Sequence, residues 1–217
     1  MYGFALLSHA GAPSGTPPRY ALLMNSFPAF VPLAGRRVVI VGQSRETDEK
    51  AALFVGAPCE LVRIPADAAA LEPEFYAGAA LVFIGDCDTV FAEAARSAAK
   101  AGGALLVNCV DRPALCDFYT PAIVDRGPVV GAVGTTGQAP GLARLLKAEI
   151  DARWPADLER LASLVAAMKL EVRAALPDFA ARRDFLESLL TGPPADAALA
   201  GDLAQALRLA REALSLV

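Results

Sequence analysis

The sequence V-N-C-V-D-R-P-A-L-C-D-F-Y-T-P-A-I-V-D-R-G-P occupies residues 107–128, and the predictions of fold and chemistry start from it. A short apolar run, residues 104–107, ends where it begins, and Asn108 and Asp111 are its first polar residues. In an open parallel α/β sheet, ligands bind outside the carboxyl ends of the strands, so a carboxylate just past such a strand faces the ligand pocket. Asp111 is therefore the first candidate for a catalytic residue.

The residues before this stretch predict strands that alternate with helices. Apolar runs at residues 38–42, 79–84 and 104–107 are typical of strands that are buried on both faces, and a further strand is predicted over about 60–64, ended by Pro65. A helix that ends at Gly56 follows the first run, and a helix over residues 90–101, capped by Asp88 or Thr89, follows the third. Such alternation implies right-handed crossovers and a parallel sheet, so the predicted fold class is α/β with a Rossmann-like sheet.

The turn after the first strand is the place where such a fold would bind a dinucleotide. The fingerprint of that turn is G-x-G-x-x-G, in which the glycines let the backbone approach a pyrophosphate at the helix N-terminus. Here Gly42 is followed by Q-S-R-E-T-D-E, so one glycine of the fingerprint remains. From the residues alone, a turn that binds no nucleotide explains this stretch about as well.

The residues after position 117 predict a change of architecture. Residues 118–124 and 128–133 are rich in β-formers and flank the turn D-R-G, which indicates a hairpin. The loop G-T-T-G-Q-A-P-G, residues 134–141, leads into a helix over 142–154; its backbone N–H groups could bind an anion, and a plain helix-entry turn is the alternative. Apolar residues at helical spacing predict a C-terminal helical domain with helices over 158–176, 179–190 and 195–216.

Composition excludes several classes of function. The chain of 217 residues is 55% hydrophobic and 20% charged with a net charge of −4, and it has no apolar run near the roughly 20 residues that cross a bilayer. Because no cluster of Lys and Arg is present, we expect neither a nucleic-acid nor a membrane partner. Four cysteines without a C-x-x-C pair, and a single histidine, predict no metal site, so carboxylates would have to move protons. A reduced, cytoplasmic setting fits these features.

Residues 1–23 predict no regular element. They contain several glycines and prolines without a period, and the single histidine, His9, lies among them. We interpret this segment as a disordered or mis-started head, with translation beginning at Met24. The segment lacks the basic region and the clean apolar core of a signal peptide.

Three motifs together resemble those of the precorrin-2 dehydrogenase/ferrochelatase module of siroheme synthase. That module combines N-x-V-D after a strand, F-x-x-P-A-I-V-D-R-G-P, and a Gly/Ser/Thr loop before P-x-L-A-R-x-L. The counterparts here are N-C-V-D at 108–111, F-Y-T-P-A-I-V-D-R-G-P at 118–128 and P-G-L-A-R-L-L at 140–146. The likeness is strong over residues 107–150 and extends loosely over residues 27–190.

The resemblance implies an enzyme that uses NAD to oxidise precorrin-2 to sirohydrochlorin, and that in bifunctional members also inserts ferrous iron. The tetrapyrrole and Fe²⁺ are then substrates, and a homodimer is the expected assembly. The resemblance gives the acid/base role to Asp111. On the same grounds we expect substrate binding by Asn108, Thr135, Thr136 and Gly137, and cofactor binding by Gly42, Gln43, Ser44, Arg45, Glu46, Arg63, Ile64 and Asp86.

The chain departs from the family pattern at two points of the expected cofactor site. The family's G-G-G-x-V-A-x-R-K is G-Q-S-R-E-T-D-E-K at residues 42–50, and its A-x-T-x-D is I-G-D-C-D at residues 84–88. Side chains thus stand in place of two glycines, and the acids Glu46, Asp48 and Glu49 lie near the expected position of a phosphate. The alternative function is a family member that binds tetrapyrrole or chelates metal without NAD, and a third reading is a non-enzymatic dimeric scaffold.

Four regions are predicted along the chain. They are the head at 1–23, a Rossmann-like NAD-binding domain at 24–117, a dimerisation region at 118–154 and a helical domain at 155–217. The dimerisation region is placed at 118–154 because its hairpin and the following helix are more apolar than one small sheet could cover.

Overall fold

A computed structural model describes residues 25–217, so the predictions about the head, Met24 and His9 lie outside the described residues. The described chain divides into two compact units. One contains residues 25–121 and 134–140, and the other contains residues 122–133 and 141–217.

The first unit is built on a parallel sheet of four strands. The strands are β1 (Arg37–Val41), β2 (Glu60–Ile64), β3 (Ala79–Ile84) and β4 (Leu106–Cys109), in the order β2-β1-β3-β4. Helix α1 (Arg45–Ala52) follows β1, and helix α2 (Thr89–Ala101), capped by the Asp88 side chain, follows β3. The predicted α/β fold with a Rossmann-like parallel sheet is confirmed.

Strand β3 is apolar throughout, and β1 is apolar after Arg37, because both of their faces are covered. One face packs Val38, Ile40 and Phe83 against Phe54, beside helix α1. The other face packs against the alanines of α2, and its buried members include Val39, Val41, Val82, Ile84, Ala92, Ala95 and Ala99. Alanine on α2 lets the helix approach the sheet closely, while the β-branched residues of the strands fill the pleated surface.

The fourth strand begins and ends two residues later than the sequence predicted. Asn108, which was read as the first residue after the strand, is buried inside it, and its amide donates to the Phe118 carbonyl oxygen at 2.8 Å. The neighbouring residue Asp117 binds the same strand, because its Oδ2 accepts the Val107 N–H at 2.9 Å. Burial raises the pKa of Asp117, but hydrogen bonds from Lys100 and the Val107 N–H outweigh burial, so the net pKa is below its ordinary value.

The second unit begins with the predicted hairpin. Strands β5 (Ala122–Arg126) and β6 (Val129–Val133) pair antiparallel, and helix α3 (Pro140–Arg153) follows them. Gly131 leaves room for the Trp154 ring, since a Cβ at this position would lie 2.9 Å from its Cη2 atom. The Arg126 guanidinium donates to Asp151 Oδ1 at 3.0 Å, which ties the hairpin to the end of α3.

The helices of the second unit number four after α3, and the sequence predicted three. They are α4 (Leu158–Ala175), α5 (Phe179–Ser188), α6 (Gly192–Leu199) and α7 (Leu203–Leu214). The predicted single helix over residues 195–216 is wrong because Gly201 takes a left-handed backbone with φ +90° and the Asp202 side chain caps α7. Helix α6 begins at Gly192, before the predicted start at residue 195, since proline is tolerated in the first turn of a helix.

A separate apolar core holds these helices together. Its fully buried members on α4 are Leu164, Met168 and Val172, and they meet Phe185 of α5 together with alanines of α6 and α7. No helix in residues 25–217 is long and apolar enough to cross a membrane.

Candidate active site at the carboxyl ends of the parallel strands

A pocket of about 420 Å³ opens at the carboxyl ends of β3 and β4, beside the first turn of α1. Strand β2 pairs with one edge of β1 and strand β3 pairs with its other edge. The strand order therefore changes direction between β1 and β3. In open α/β sheets ligands bind at such a switch point. The pocket lies there and is lined by Glu46, Gly85, Asp86, Cys87, Thr89, Val110, Asp111 and Arg112.

The glycine turn after β1, residues 42–44, lies next to this pocket. Gly42 has φ +108°, and a Cβ atom there would lie 2.8 Å from the Gly85 carbonyl oxygen and 2.9 Å from the Asp86 Cβ. Gly85 is equally confined, since its own Cβ would lie 2.8 Å from the Thr47 methyl group. The first glycine of the dinucleotide fingerprint is therefore required by the close packing of the β1 and β3 ends.

Positions 43 and 44, where the family has glycine, do not need glycine in this structure. Ser44 has φ −83°, and its hydroxyl caps helix α1 by accepting the Thr47 N–H at 3.5 Å. Gln43 is exposed and lies outside the left-handed region. The side chains of Gln43 and Ser44 therefore do not strain the backbone of the turn. The N-terminus of α1 still presents N–H groups that helical geometry leaves without intrahelical partners.

The Gln43 N–H already has an acidic partner. It donates to Oδ2 of Asp86 at 3.3 Å, so a carboxylate from the end of β3 lies against the glycine turn. Asp86 is itself in the left-handed region, with φ +59°. Aspartate tolerates this conformation better than most residues, but it remains uncommon.

Asp111 lies two residues beyond β4 and shares this unusual backbone. Its φ is +57°, and the neighbouring Val110 N–H donates to the Ile84 carbonyl oxygen at 2.8 Å, which continues the β3–β4 pairing up to the turn. The side chain is exposed at the rim of the pocket. Strained backbone clusters at functional sites, and here the strained aspartates of the described chain both line the same pocket.

Arg112 connects the two turns that present these aspartates. Its guanidinium donates to the carbonyl oxygens of Cys87 and Val110, the latter at 3.1 Å, and its Nε donates to the Thr89 hydroxyl at 3.3 Å. These acceptors lie on the turn after β3, on the turn after β4 and at the first residue of α2. One planar side chain thus fixes the spacing of the two sides of the pocket.

The charge of the pocket is mainly negative. Glu46, Asp86 and Asp111 line it, and Arg112 is the cation among the lining residues. Residues 25–217 contain no preformed cluster of three or more metal ligands. Burial raises the pKa of Cys87, and the nearby Asp88 and Asp86 act in the same direction against Arg112, so this thiol stays protonated near neutral pH and is a poor nucleophile.

The predicted cofactor residues of β2 and α1 lie beside the turn in different roles. Arg63 donates to the Gly42 carbonyl oxygen at 3.2 Å and pairs with Asp48 at 2.7 Å. Arg45 is exposed and pairs with Glu49 at 3.1 Å. Ile64 is 6% exposed and packs in the core of the sheet, so its side chain does not reach the pocket.

The predicted substrate residues are not brought into this pocket. Asn108 is buried inside β4, where its amide binds the Phe118 carbonyl oxygen. The loop that contains Thr135, Thr136 and Gly137 closes on itself: the Thr135 hydroxyl accepts the Ala139 N–H at 3.2 Å, and Thr136 has φ +51°. None of these residues is among the lining residues of the pocket.

Sequence reasoning missed Thr89, the first residue of α2, as a lining residue, and also missed the lining residues that come from turns, namely Gly85, Cys87, Val110 and Arg112. Arg112 carried a usable signal, because it directly follows Asp111 at the carboxyl end of a strand. Two of its three acceptors, the Cys87 carbonyl oxygen and the Thr89 hydroxyl, are set by tertiary structure and have no counterpart in local sequence.

Two family models match the chain. The model described as "Putative NAD(P)-binding" matches residues 29–122, and the model described as "Sirohaem synthase dimerisation region" matches residues 157–214. The first covers the parallel sheet and its pocket. The second covers helices that the sequence assigned to a helical domain, whereas the dimerisation region was predicted at 118–154.

Similar proteins carry the name siroheme synthase. The chain is 36% identical to that of Pseudomonas paraeruginosa over an alignment of 211 residues, and the match covers 88% of this chain and 45% of that protein. It is 37% identical to that of Azotobacter vinelandii over an alignment of 204 residues, and the match covers 86% of this chain and 44% of that protein. The chain therefore spans less than half the length of these relatives, and the predicted resemblance is confirmed over the part they share.

A solved structure has the same fold. It is a precorrin-2 dehydrogenase, SirC, with a TM-score of 0.59 and 14% sequence identity, and the match covers 86% of this chain and 100% of that chain. At this identity the match establishes the fold, and the assignment of chemistry depends on the pocket.

Proposed function

Because this chain is a homologue of the siroheme synthases over 88% of its length, we propose that it is the NAD-dependent dehydrogenase that converts precorrin-2 to sirohydrochlorin. The observation that supports this most strongly is the position of Asp111. It lies at the carboxyl end of β4, on the pocket at the switch point of an NAD(P)-binding type of sheet. The NAD(P)-binding model match supports a nicotinamide cofactor, and the choice of NAD follows the family resemblance.

The chemistry requires one base and one hydride acceptor. Dehydrogenation of the macrocycle removes a hydride and a proton, and NAD supplies the hydride acceptor. Asp111 is the base in this proposal: its carboxylate is exposed on the pocket and can come within hydrogen-bond reach of a C–H or N–H proton of the substrate. Arg112 holds the Asp111 turn against the turn after β3, so the base keeps its position during the reaction.

The residues that would hold the cofactor are those of the glycine turn. Gly42 permits the close approach, and the N–H groups at the start of α1 are donors suited to a pyrophosphate. Arg63 adds a positive charge beside the Gly42 carbonyl. Gln43 and Ser44 belong to this turn, Arg45 and Glu46 follow it in the first turn of α1, and the Asp86 carboxylate lies against it. Ile64 supports the turn from the core.

Insertion of ferrous iron into sirohydrochlorin is the second reaction that we propose for the same pocket. Iron here is a substrate, so a preformed ligand cluster is not needed. An acidic pocket attracts Fe²⁺, and a carboxylate such as Asp111 can accept a pyrrole proton as the metal enters.

The assembly that we propose is a homodimer. The match to the dimerisation region supports it. Helix α3 presents further apolar side chains, since Leu142 and Leu145 are 51% and 57% exposed, and exposed apolar patches of this kind mark interfaces. Sedimentation at micromolar concentration should give the mass of two chains, and a monomer there would contradict the assembly.

The decisive test is Asp111→Asn. Asparagine tolerates the left-handed backbone at this position but cannot accept a proton, so NADH formation from precorrin-2 should fall by a factor of about 10²–10⁴. The matched control is Asp67→Asn, since Asp67 only caps a short turn through the Ala69 N–H in the same unit. The control should keep its activity.

Two results would contradict the proposal. Full activity of Asp111→Asn would remove the catalytic assignment. Binding of sirohydrochlorin by a protein that binds no NAD would favour the alternative, a family member that works without the dinucleotide.

A further inference from the structure

We propose that Asp86 is a built-in competitor for the dinucleotide: its carboxylate occupies the N–H donor of the glycine turn that a cofactor phosphate needs. This inference rests on the proposed function, since it concerns the cofactor of that same pocket. It makes Asp86 a residue that sets cofactor affinity by opposing the ligand.

The first step of the argument is the hydrogen bond itself. The Gln43 N–H is the first donor after Gly42, at the turn where dinucleotide-binding folds present N–H groups to a pyrophosphate. In this chain the group donates to Asp86 Oδ2 at 3.3 Å. A carboxylate oxygen and a phosphate oxygen are acceptors of the same kind, so both cannot use this one proton well.

The second step is that the backbone holds Asp86 in this place. Its φ is +59°, and its Cβ lies so close to Gly42 that a Cβ on the glycine would be 2.9 Å away. The turn after β3 is fixed further by Arg112, which donates to the Cys87 carbonyl oxygen. The Asp86 backbone therefore cannot withdraw, and only rotation of the side chain can free the Gln43 N–H.

The third step is charge. Asp86 is exposed, so the bond to the Gln43 N–H is weak and a ligand can displace it. The displaced carboxylate remains near the bound phosphate, and Glu46 adds a second negative charge to the same pocket. Like charges a few ångströms apart repel, which weakens the binding of any anionic ligand at this turn.

The test is the affinity for NADH, measured by isothermal titration calorimetry on the full chain. Asp86→Asn removes the charge while keeping the size and tolerance of the left-handed backbone. Its Kd for NADH should fall about tenfold, which corresponds to ~1.4 kcal/mol. Asp86→Gly, which also accepts φ +59°, is the second variant and should show the same direction.

The matched control is Asp88→Asn, two residues away. Asp88 caps α2 by accepting the Phe91 N–H at 2.8 Å and does not line the pocket. Asparagine is an equally good cap, so this variant changes the net charge by the same amount at nearly the same place without touching the Gln43 N–H. Its Kd should stay within about twofold of the wild-type value.

The outcomes separate the inference from the proposed function. Tighter NADH binding by both Asp86 variants, with little change in Asp88→Asn, supports the inference. Wild-type protein that binds NADH, with Asp86 variants that bind equally or more weakly, overturns the inference alone. An equal gain in Asp88→Asn overturns it in favour of general electrostatics, and absence of NADH binding by every protein overturns both the inference and the NAD part of the proposed function.

Discussion

Replacing Gly42 by alanine tests whether the glycine turn is as closely packed as the structure shows. Two costs add at this position. A left-handed backbone costs an L-residue roughly 1–2 kcal/mol relative to glycine. The new methyl group would also lie 2.8 Å from the Gly85 carbonyl oxygen and 2.9 Å from the Asp86 Cβ, and forcing an extra carbon into a packed site costs roughly 1–3 kcal/mol.

The matched control is Gly103→Ala, because it separates the two costs. Gly103 also has a positive φ, +86°, but a Cβ atom there meets nothing within 4 Å. The free energy of unfolding of Gly103→Ala should therefore fall only by the conformational cost, roughly 1–2 kcal/mol. Gly42→Ala should lose roughly 2–5 kcal/mol, a large share of the 5–15 kcal/mol that stabilises a typical domain.

Urea unfolding followed by far-UV circular dichroism measures both free energies of unfolding. Equal losses in the two variants would refute the reasoning, because they would show that the ends of β1 and β3 do not approach each other as closely as described. A larger loss in Gly42→Ala should also come with weaker NADH binding, since the displaced turn carries the donors for the phosphates.

Three further predictions follow from contacts described above. Arg112→Gln should lower kcat for dehydrogenation with little change in the KM for NAD, because the Asp111 turn loses its tie to the turn after β3; Arg37→Gln, which loses a bond to the Ala77 carbonyl oxygen at the opposite end of the sheet, should not. Equal kcat values in both would contradict the role of Arg112. Asp117→Asn should lower the free energy of unfolding at neutral pH, and the difference from wild type should shrink below roughly pH 4, because a lowered pKa gives stability that is present above the unfolded pKa and lost as the pH falls through the folded one. A difference that persists unchanged at lower pH would refute the ion-pair explanation. Leu164→Ala, at a fully buried position of α4, should cost roughly 2–5 kcal/mol in chemical denaturation, and a loss near zero would mean that the helical core is not packed as described.

Most strands of the sheet could be predicted from sequence because their apolar residues indicate burial. Strand β3 has the predicted bounds because it is an unbroken apolar run between Gly78 and Gly85, and β2 has them because Pro65 ends it, although Glu60 and Arg63 interrupt its apolar residues. Strand β4 was displaced because a polar residue, Asn108, was taken as its end. A buried strand can contain asparagine when a tertiary partner, here the Phe118 carbonyl oxygen, satisfies the amide.

The candidate site could be predicted only in part. Asp111 could be found because its position after a strand and its motif agree. The contact of Asp86 with the Gln43 N–H could not, because it joins residues that are 43 positions apart and depends on a positive φ at Asp86. The break before α7 was hidden for a related reason, since alanine-rich sequence continues on both sides of Gly201 and only its left-handed backbone ends α6.

The Trp154 ring, which packs over Gly131, is an intrinsic fluorescent probe of this protein. It is the only tryptophan of the sequence, and it belongs to the unit that holds the hairpin and the C-terminal helices. Its fluorescence should respond when that unit unfolds and should be silent to the melting of the parallel sheet, whereas circular dichroism follows the secondary structure of both units. Unfolding curves recorded with the two signals will coincide if the units melt together and separate if they melt one after the other, so a pair of spectra can measure how strongly the two halves of the chain depend on each other.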